Sequence, residues 1–149
     1  MKALFDLCKN TIALPKSADA IFIEASKTQS GKIRLLNLKQ LYDEGVNTDG
    51  VLIGHYSNFT IYLKSIAANY GRDSKSDHIT LRDTGDFYAT FKVVYLKNSF
   101  TIQANDNKDG DHLQEIYPKI LGLTDESKAE LSQLIKPNIV KAIRAKILQ

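Results

Sequence analysis

The stretch FYATFKVVYLKNSFTIQA, residues 87–104, predicts a β-hairpin at the centre of the chain. Apolar side chains occupy alternate positions of its first half: Phe87, Ala89, Phe91, Val93 and Tyr95. A turn at Lys97 and Asn98 makes three cross-strand pairs apolar: Tyr95–Phe100, Val93–Ile102 and Phe91–Ala104. Matched faces fix the register of a hairpin, and Asn tolerates the positive φ of such turns. We therefore expect a strand from Phe87 onward, with Phe91 and Val93 buried and Lys92 exposed.

A polar corner, RDTGD at residues 82–86, precedes this strand. Asp83, Thr84 and Asp86 can bond nearby backbone amides, and Gly85 permits a backbone conformation that a β-carbon resists. Arg82 is expected to pair with Asp83, with Asp86 or with a neighbouring chain. The corner is therefore interpreted as a device that turns the chain into a core strand beginning at Phe87.

The helical pattern upstream of the corner falls into three pieces. Residues 1–12, 18–27 and 32–44 are predicted helices, with a break in TQSG at Gly31 and a C-cap at Gly45. The third piece carries the clearest apolar stripe, which includes Ile33, Leu36 and Leu41.

Residues 46–77, called the arm below, read as a long glycine-punctuated loop with a short helix at about 60–68. Loops of this length in small domains are usually functional or mobile. The arm's apolar side chains would form a costly exposed patch on a monomer.

The last third of the chain is predicted to be helical. A short helix before Pro118 is followed by a long one that Thr124 caps. The long helix has one apolar face, and Pro137 is expected to kink or split it. The face consists of residues spaced by four: Leu131, Ile135, Ile139, Ile143 and Ile147.

These elements predict one α+β domain spanning residues 1–149, with helices packed around a central antiparallel hairpin or small sheet. Its parts are a helical N-terminal region (1–44), the arm (46–77), the corner and hairpin (78–104) and C-terminal helices (111–149). The hydrophobic fraction of 43% suits a single soluble core.

Charge and cysteine content exclude several classes of protein. Cys8 is the single cysteine, so neither an intramolecular disulfide nor a cysteine metal cluster is expected. No apolar run approaches a membrane span, and the N-terminus is interpreted as an amphipathic helix rather than a signal peptide. The net charge of +3 is unevenly distributed. Residues 105–130 hold three basic and seven acidic residues, whereas residues 131–149 hold four basic and no acidic ones.

Candidate chemical sites are weak. The histidines His55, His78 and His112 lack the spacing of zinc ligands. NDNKDGD at residues 105–111 imitates half of a calcium loop, but Ile116 stands where a bidentate Glu belongs. Asp-Thr-Gly at residues 83–85 is the tripeptide of aspartic proteases, without their apolar flanks. No catalytic, metal-binding or cofactor-binding residue, and no enzymatic activity, is therefore expected.

The order of these segments resembles a family of neck proteins, the head–tail connectors of tailed bacteriophages, especially crAss-like and other Bacteroidetes phages. LNLKQLYDEGVNTDGVLIGHYSNFTIYLK, ITLRDTGDFYATFKV and YPKILGLTDES carry the resemblance, and the chain departs from the family between Lys64 and His78. Matching arm residues are Gln40, Leu41, Gly45, Gly50, Gly54, Tyr56, Thr60 and Lys64. Other matches are Leu81, Asp83, Thr84, Gly85, Asp86 and Phe87 at the corner, and Leu121, Gly122, Leu123 and Thr124 at the last helix.

The resemblance implies a non-catalytic virion subunit, made in the host cytoplasm, that forms a closed ring around the DNA channel. Twelve copies are favoured, with six as the alternative. Its neighbours would be portal, neck and tail proteins, with packaged DNA close by but not bound sequence-specifically. Site residues on this interpretation are structural: Gly50, Gly54, Tyr56, Thr60, Lys64, Arg82, Asp83, Thr84, Gly85, Asp86 and Phe87.

Other functions remain open at this point. A minor tail protein is one. A small basic nucleic-acid-binding module, using the basic tail with Tyr56, Tyr62 and Tyr70, is another. A small enzyme using His78, Asp83 and Asp86 is a third. We also hypothesise that an adjacent subunit or ring covers the arm, and that the two oppositely charged segments help to orient the chains.

Overall fold

The computed structural model describes residues 17–67, 70, 72–108 and 110–148, so the predicted helix at 1–12 and Cys8 lie outside the described residues. The helices are α1 (17–27), α2 (Ser30–Lys39), α3 (Asn58–Ala67), α4 (Asp86–Ala89), α5 (Leu113–Ile116) and α6 (Asp125–Ile147). The strands are β1 (Lys92–Tyr95), β2 (Phe100–Gln103), β3 (Asn107–Lys108) and β4 (Asp111–His112). Two separate antiparallel hairpins, β1–β2 and β3–β4, stand among the helices. The predicted α+β class and the long C-terminal helix are therefore confirmed.

The register of the central hairpin agrees with the prediction. Val93 pairs with Ile102 and Tyr95 with Phe100, and the Leu96 amide donates to the Ser99 carbonyl at 2.8 Å. Lys97 and Asn98 therefore form the turn. Phe91 and Ile102 are buried, Val93 is half-buried and Lys92 is exposed.

The predicted start of the strand at Phe87 is wrong, because Asp86–Ala89 form the short helix α4 and the strand starts at Lys92. Gly85, at φ 96°, bends the chain, and its carbonyl accepts the Ala89 amide at 2.9 Å. Helical spacing brings three aromatic rings together. The ring centres of Phe87 and Tyr88 lie 5.0 and 5.8 Å from the ring centre of Phe91. In a strand, Tyr88 would point to the opposite face from Phe91.

The core joins α2, the hairpin, the loop before α6 and the first half of α6. Its most buried side chains include Ile33 of α2, Leu41 of the π-helical turn that directly follows α2, and Ile120 of the loop before α6. The remaining buried members of the cluster are Ala25, Leu36, Phe91, Ile102, Leu113, Leu123, Leu131 and Ile135. The regular apolar face of α6 is thus buried only over its first half, while Ile139, Ile143 and Ile147 are half-buried.

Two buried amides bind the loop that leads into α6 to the helix α2. The Asn37 side chain donates to the Ile120 carbonyl and accepts from the Gly122 amide, both at 3.1 Å. Gln40 begins the π-helical turn Gln40–Glu44 that continues α2, and its Oε1 accepts the Thr124 amide at 2.9 Å. We call this pair of side chains the amide clasp. It satisfies backbone groups that burial would otherwise leave unpaired.

Several helix ends follow the sequence prediction, and two predicted breaks do not. Gly45, at φ 66°, ends the α2 region, and Thr124 caps α6 by accepting the Ser127 amide at 3.2 Å. The break assigned to Gly31 is wrong, because the chain turns at residues 28–29 and Gly31 lies inside α2. Pro137 is expected to kink or split α6, but the split does not occur, because the helix runs through this proline. Pro137 is exposed, so solvent can hydrate the carbonyl that loses its amide partner.

Candidate functional site

The base of the arm is held by a carboxylate that is almost completely buried. The Asp73 side chain is 2% exposed, and its Oδ2 accepts from Lys64 Nζ at 2.9 Å and from the Thr80 hydroxyl at 3.0 Å. Its Oδ1 accepts from the Tyr42 hydroxyl at 3.1 Å and the Lys75 amide at 3.3 Å. One carboxylate therefore joins the π-helical turn after α2, the helix α3, the far end of the arm and the segment before the corner.

Burial and hydrogen bonding act in opposite directions on this carboxylate. Burial raises the pKa of Asp73, but the hydrogen bonds from Lys64, Thr80 and the Lys75 amide outweigh it, and the net pKa lies below its usual value. Burial is also the main cause that raises the pKa of Tyr42, with the Asp73 hydrogen bond adding to it. The site therefore holds an ionised Asp73 beside a neutral phenol at neutral pH.

Tyr56 connects the near end of the arm to Thr80, the residue whose hydroxyl binds Asp73. Its hydroxyl receives the Thr80 amide at 3.0 Å and lies 3.1 Å from the Thr80 hydroxyl, while Lys64 Nζ lies 4.7 Å from the centre of its ring. Tyr88 of α4 donates its hydroxyl to the Thr80 carbonyl, and burial raises the pKa of this phenol. We call Tyr42, Tyr56, Lys64, Asp73, Thr80 and Tyr88 the arm-base cluster.

A histidine packed against a glycine completes the attachment. His78 is buried, with its Nε2 2.9 Å from the Tyr42 carbonyl and its Nδ1 3.0 Å from Asp77 Oδ2. A β-carbon on Gly45 would lie 2.2 Å from His78 Cδ2, so the backbone approaches the ring as closely as it can. The interpretation of His78 as structural is therefore supported.

The predicted arm residues separate into two groups. Tyr56 and Lys64 belong to the arm-base cluster, whereas Gly50 and Gly54 shape the backbone at φ 73° and 147°. The Gly54 carbonyl accepts the Ile79 amide at 2.9 Å, which pairs the arm with the segment before the corner. Thr60 lies in the first turn of α3, where its amide donates to Ser57 Oγ at 3.2 Å. The predicted arm helix is confirmed, starting at Asn58.

The predicted corner residues form a compact turn on the surface. The Thr84 hydroxyl donates to Asp86 Oδ2 at 2.6 Å and receives the Asp86 amide at 3.4 Å. Arg82 does not pair with Asp83 or Asp86; its guanidinium lies 5.1 Å from the centre of the Tyr42 ring. Asp83 pairs instead with Arg72 at 3.5 Å and with Lys108 at 4.0 Å. Phe87 then begins the aromatic group of α4 rather than a strand.

One face of α3 is apolar and faces solvent. Phe59 is 70% exposed, Tyr62 61%, Leu63 47% and Ile66 40%. This spacing, i, i+3, i+4 and i+7, is that of a single helix face. Lys64, on the other side of the helix, points to Asp73. We call these four residues the α3 face.

The calcium-like sequence forms a polar hairpin. Asp106 accepts from the Gln114 side chain at 3.1 Å and lies 3.3 Å from the His112 ring, and β3 pairs with β4. Among the residues that the structure describes, no three His, Cys, Asp or Glu side chains come together as a metal site. No helix in the described part of the chain is long and apolar enough to cross a membrane.

Sequence reasoning missed Tyr42, Asp73, Thr80 and Tyr88, which complete the arm-base cluster. Asp73 stands in the polar run GRDSKSD, where it reads as one more solvated charge.

The comparisons with known proteins add no relative: no family model, curated protein or solved structure matches the chain at a significant level.

Proposed function

We propose that the protein is a structural virion subunit of a tailed phage, part of the head–tail connector, that assembles as a closed ring around the DNA channel. The α3 face is the observation that carries this proposal. Four large apolar side chains on one helix face are unusual on a stable monomer, and such a patch marks an interaction surface.

The contacts at the base of the arm support the idea that the α3 face has a fixed orientation relative to the rest of the chain. Asp73, near one end of the arm, accepts from Tyr42 and Thr80. Tyr56, near the other end, accepts the Thr80 amide, so both ends of the arm are tied to the body of the same chain. An arm anchored in this way holds the α3 face in one direction. A fixed face suits a repeated contact with an identical neighbour, since less conformational entropy is lost on binding.

The occupant of the α3 face on this proposal is a second copy of the chain. A head-to-tail contact between identical copies generates a ring when the rotation closes. Twelve copies would surround the channel of a short-tailed virion, and six would match a long tail tube. Portal, neck and tail proteins would lie on either side of the ring, and packaged DNA would pass through it without being read by sequence.

Imaging the portal vertex of the virion that carries this chain tests the proposal. We expect a symmetric collar of copies in which the α3 face of each copy touches another chain. A chain found only as a single copy, with solvent over Phe59 and Tyr62, would overturn it.

A matched pair of variants tests the carrying observation. Phe59→Ser with Leu63→Ser removes two side chains from the α3 face, and we expect a folded chain that no longer enters particles. Leu35→Ser is the control, because Leu35 of α2 is 58% exposed outside that face. Normal incorporation of the α3 variant would contradict the assigned role of the face.

A further inference from the structure

The C-terminal half of α6 carries cations that have no partner in the described part of the chain. Lys136, Lys141, Arg144 and Lys146 are all exposed, and no carboxylate of the described residues lies within 4 Å of any of them. The acids of α6 stand at its other end, where Asp125 binds Lys128 at 2.8 Å and Glu130 binds Lys32 at 2.9 Å. The acidic side chains of α6, including Glu126, thus all lie in its first half, and the charged side chains of its second half are all cations.

Apolar surface accompanies these cations. Leu134 and Val140 are 38% and 37% exposed; Leu134 stands two residues before Lys136, and Val140 stands directly before Lys141. Interaction of the cations with the helix dipole accounts for a preference at the C-terminus but does not account for the exposed aliphatic side chains. A cationic helix surface with apolar side chains is suited to an acidic protein surface that also has an apolar centre.

The same chain presents a surface of that kind on the β3–β4 hairpin and α5. Asp111 and Glu115 are exposed and have no ion-pair partner among the described residues, whereas the nearby Asp106 is bound by Gln114. Ile116 is 52% exposed beside Glu115. We call Asp111, Glu115 and Ile116 the acidic ledge. Both the ledge and the α6 cations are unpaired, so they do not meet within one chain.

We infer that the C-terminal half of α6 docks on the acidic ledge of a second copy. The inference rests on the proposed function only in taking another copy of this chain as the partner. Opposite charges orient the two copies, and Val140 and Ile116 supply the apolar contact. A nucleic acid would pair with the cations alone and would leave Ile116 exposed. Two different surfaces of one chain thus join head to tail, which is the contact that a ring requires.

Complementary charge reversal tests the contact with the full-length chain. One variant carries Lys141→Glu and Arg144→Glu, and the other carries Asp111→Lys and Glu115→Lys. Sedimentation velocity at about 1 mM protein detects an interface whose Kd is of that order. We expect the wild type to associate at low salt and to dissociate at about 1 M salt, where screening is strong. Each variant alone is expected to be monomeric, and their equimolar mixture is expected to associate again.

The control is Lys92→Glu with Lys97→Glu, which makes on the β1–β2 hairpin the same change in net charge as the α6 variant and should associate like the wild type. The inference is overturned by a wild type that stays monomeric, by either single variant associating normally, or by a mixture that stays monomeric. A short DNA duplex is the competing probe: loss of duplex binding by the α6 variant with unchanged self-association would assign the cations to nucleic acid and overturn the inference.

The outcomes for the contact and for the proposed function remain distinguishable. A collar in which α6 does not touch the neighbouring ledge would overturn the docking contact and leave the ring intact. A virion without a collar of this chain would overturn the proposed function, even where sedimentation shows that the contact forms.

Discussion

At the scale of single residues, Asp73 determines whether the arm stays attached. Asp73→Asn removes the charge that Lys64 and three other donors share, and it leaves a buried ammonium without a counterion. Breaking one partner of a buried pair costs about 3–5 kcal/mol. Asp83→Asn is the control, since its pair with Arg72 is half-exposed and such pairs contribute about 0–1 kcal/mol. Urea unfolding of both variants measures the difference, and equal losses would contradict the role of the buried pair.

The same carboxylate makes stability depend on pH in a defined direction. The pKa of Asp73 is lower in the folded chain, so its contribution is complete above the pKa of the unfolded chain, about 3.9. That contribution is lost as the pH falls from there through the folded pKa. We expect the stability gap between wild type and Asp73→Asn to be constant near neutral pH and to shrink below about pH 4. A gap that widens on acidification would exclude an ionised Asp73.

Two glycines of similar backbone conformation allow the cost of backbone strain to be measured separately from the cost of a steric clash. Gly45 and Gly50 have φ values of 66° and 73°, but only at Gly45 would a β-carbon meet a neighbour, His78 Cδ2 at 2.2 Å. Gly50→Ala should therefore cost about 1–2 kcal/mol from the left-handed conformation alone. Gly45→Ala should cost clearly more, because its β-carbon would also collide with the His78 ring. In a His78→Ala background, where that ring is absent, the same Gly45→Ala substitution should cost less. Thermal unfolding of the wild type, Gly50→Ala, Gly45→Ala, His78→Ala and the Gly45→Ala/His78→Ala double variant gives the comparison. Equal costs for the two glycines would refute it.

At the scale of elements, the central hairpin is the part of the fold that the sequence predicts best. Its register depends on side chains that face each other within a dozen residues, so local pattern is sufficient. The preceding turn is not predictable in the same way. Phe87, Tyr88 and Phe91 satisfy both a period of two and a helical spacing, and Gly85 together with ring packing selects the helix.

The hairpin also carries a stability prediction. Phe91 is 5% exposed and contacts the rings of Phe87 and Tyr88, so Phe91→Ala should cost about 3–5 kcal/mol. Lys92→Ala, on the exposed side, should be nearly neutral. Chemical denaturation of the pair checks this, and a near-neutral Phe91→Ala would mean that the aromatic group is not core.

The arm-base cluster lies beyond the reach of sequence patterns. Its members are spread from Tyr42 to Tyr88 in three different elements and the loops between them, and each is an ordinary polar or aromatic residue in its own surroundings. Their association depends on tertiary packing that brings Thr80 to Asp73 and Tyr56. The sequence analysis named Tyr56 and Lys64 as expected site residues, but neither Asp73, which binds Lys64, nor Thr80, which binds Tyr56.

At the scale of the whole molecule, three surfaces distinguish this chain from an inert domain. The α3 face is apolar, whereas the C-terminal half of α6 and the acidic ledge are charged with opposite signs. On these proposals the charged pair drives the association of free copies and sets their orientation. The α3 face adds apolar contact area where copies are already held side by side in the ring. The net charge of +3 conceals this polarity, which becomes clear only when paired charges are separated from unpaired ones.

The amide clasp has a consequence for how the chain is made. Asn37 finds its partner at Ile120, 83 residues later, so the ribosome must add all the residues between them before the clasp on α2 can form. Until then, the surface around Ile33 and Leu41 lacks its cover from Ile120 and α6. Contacts this distant in sequence slow folding, because the loop between them must be closed first. The nascent polypeptide should therefore bind chaperones during translation and release them only when the α6 region emerges.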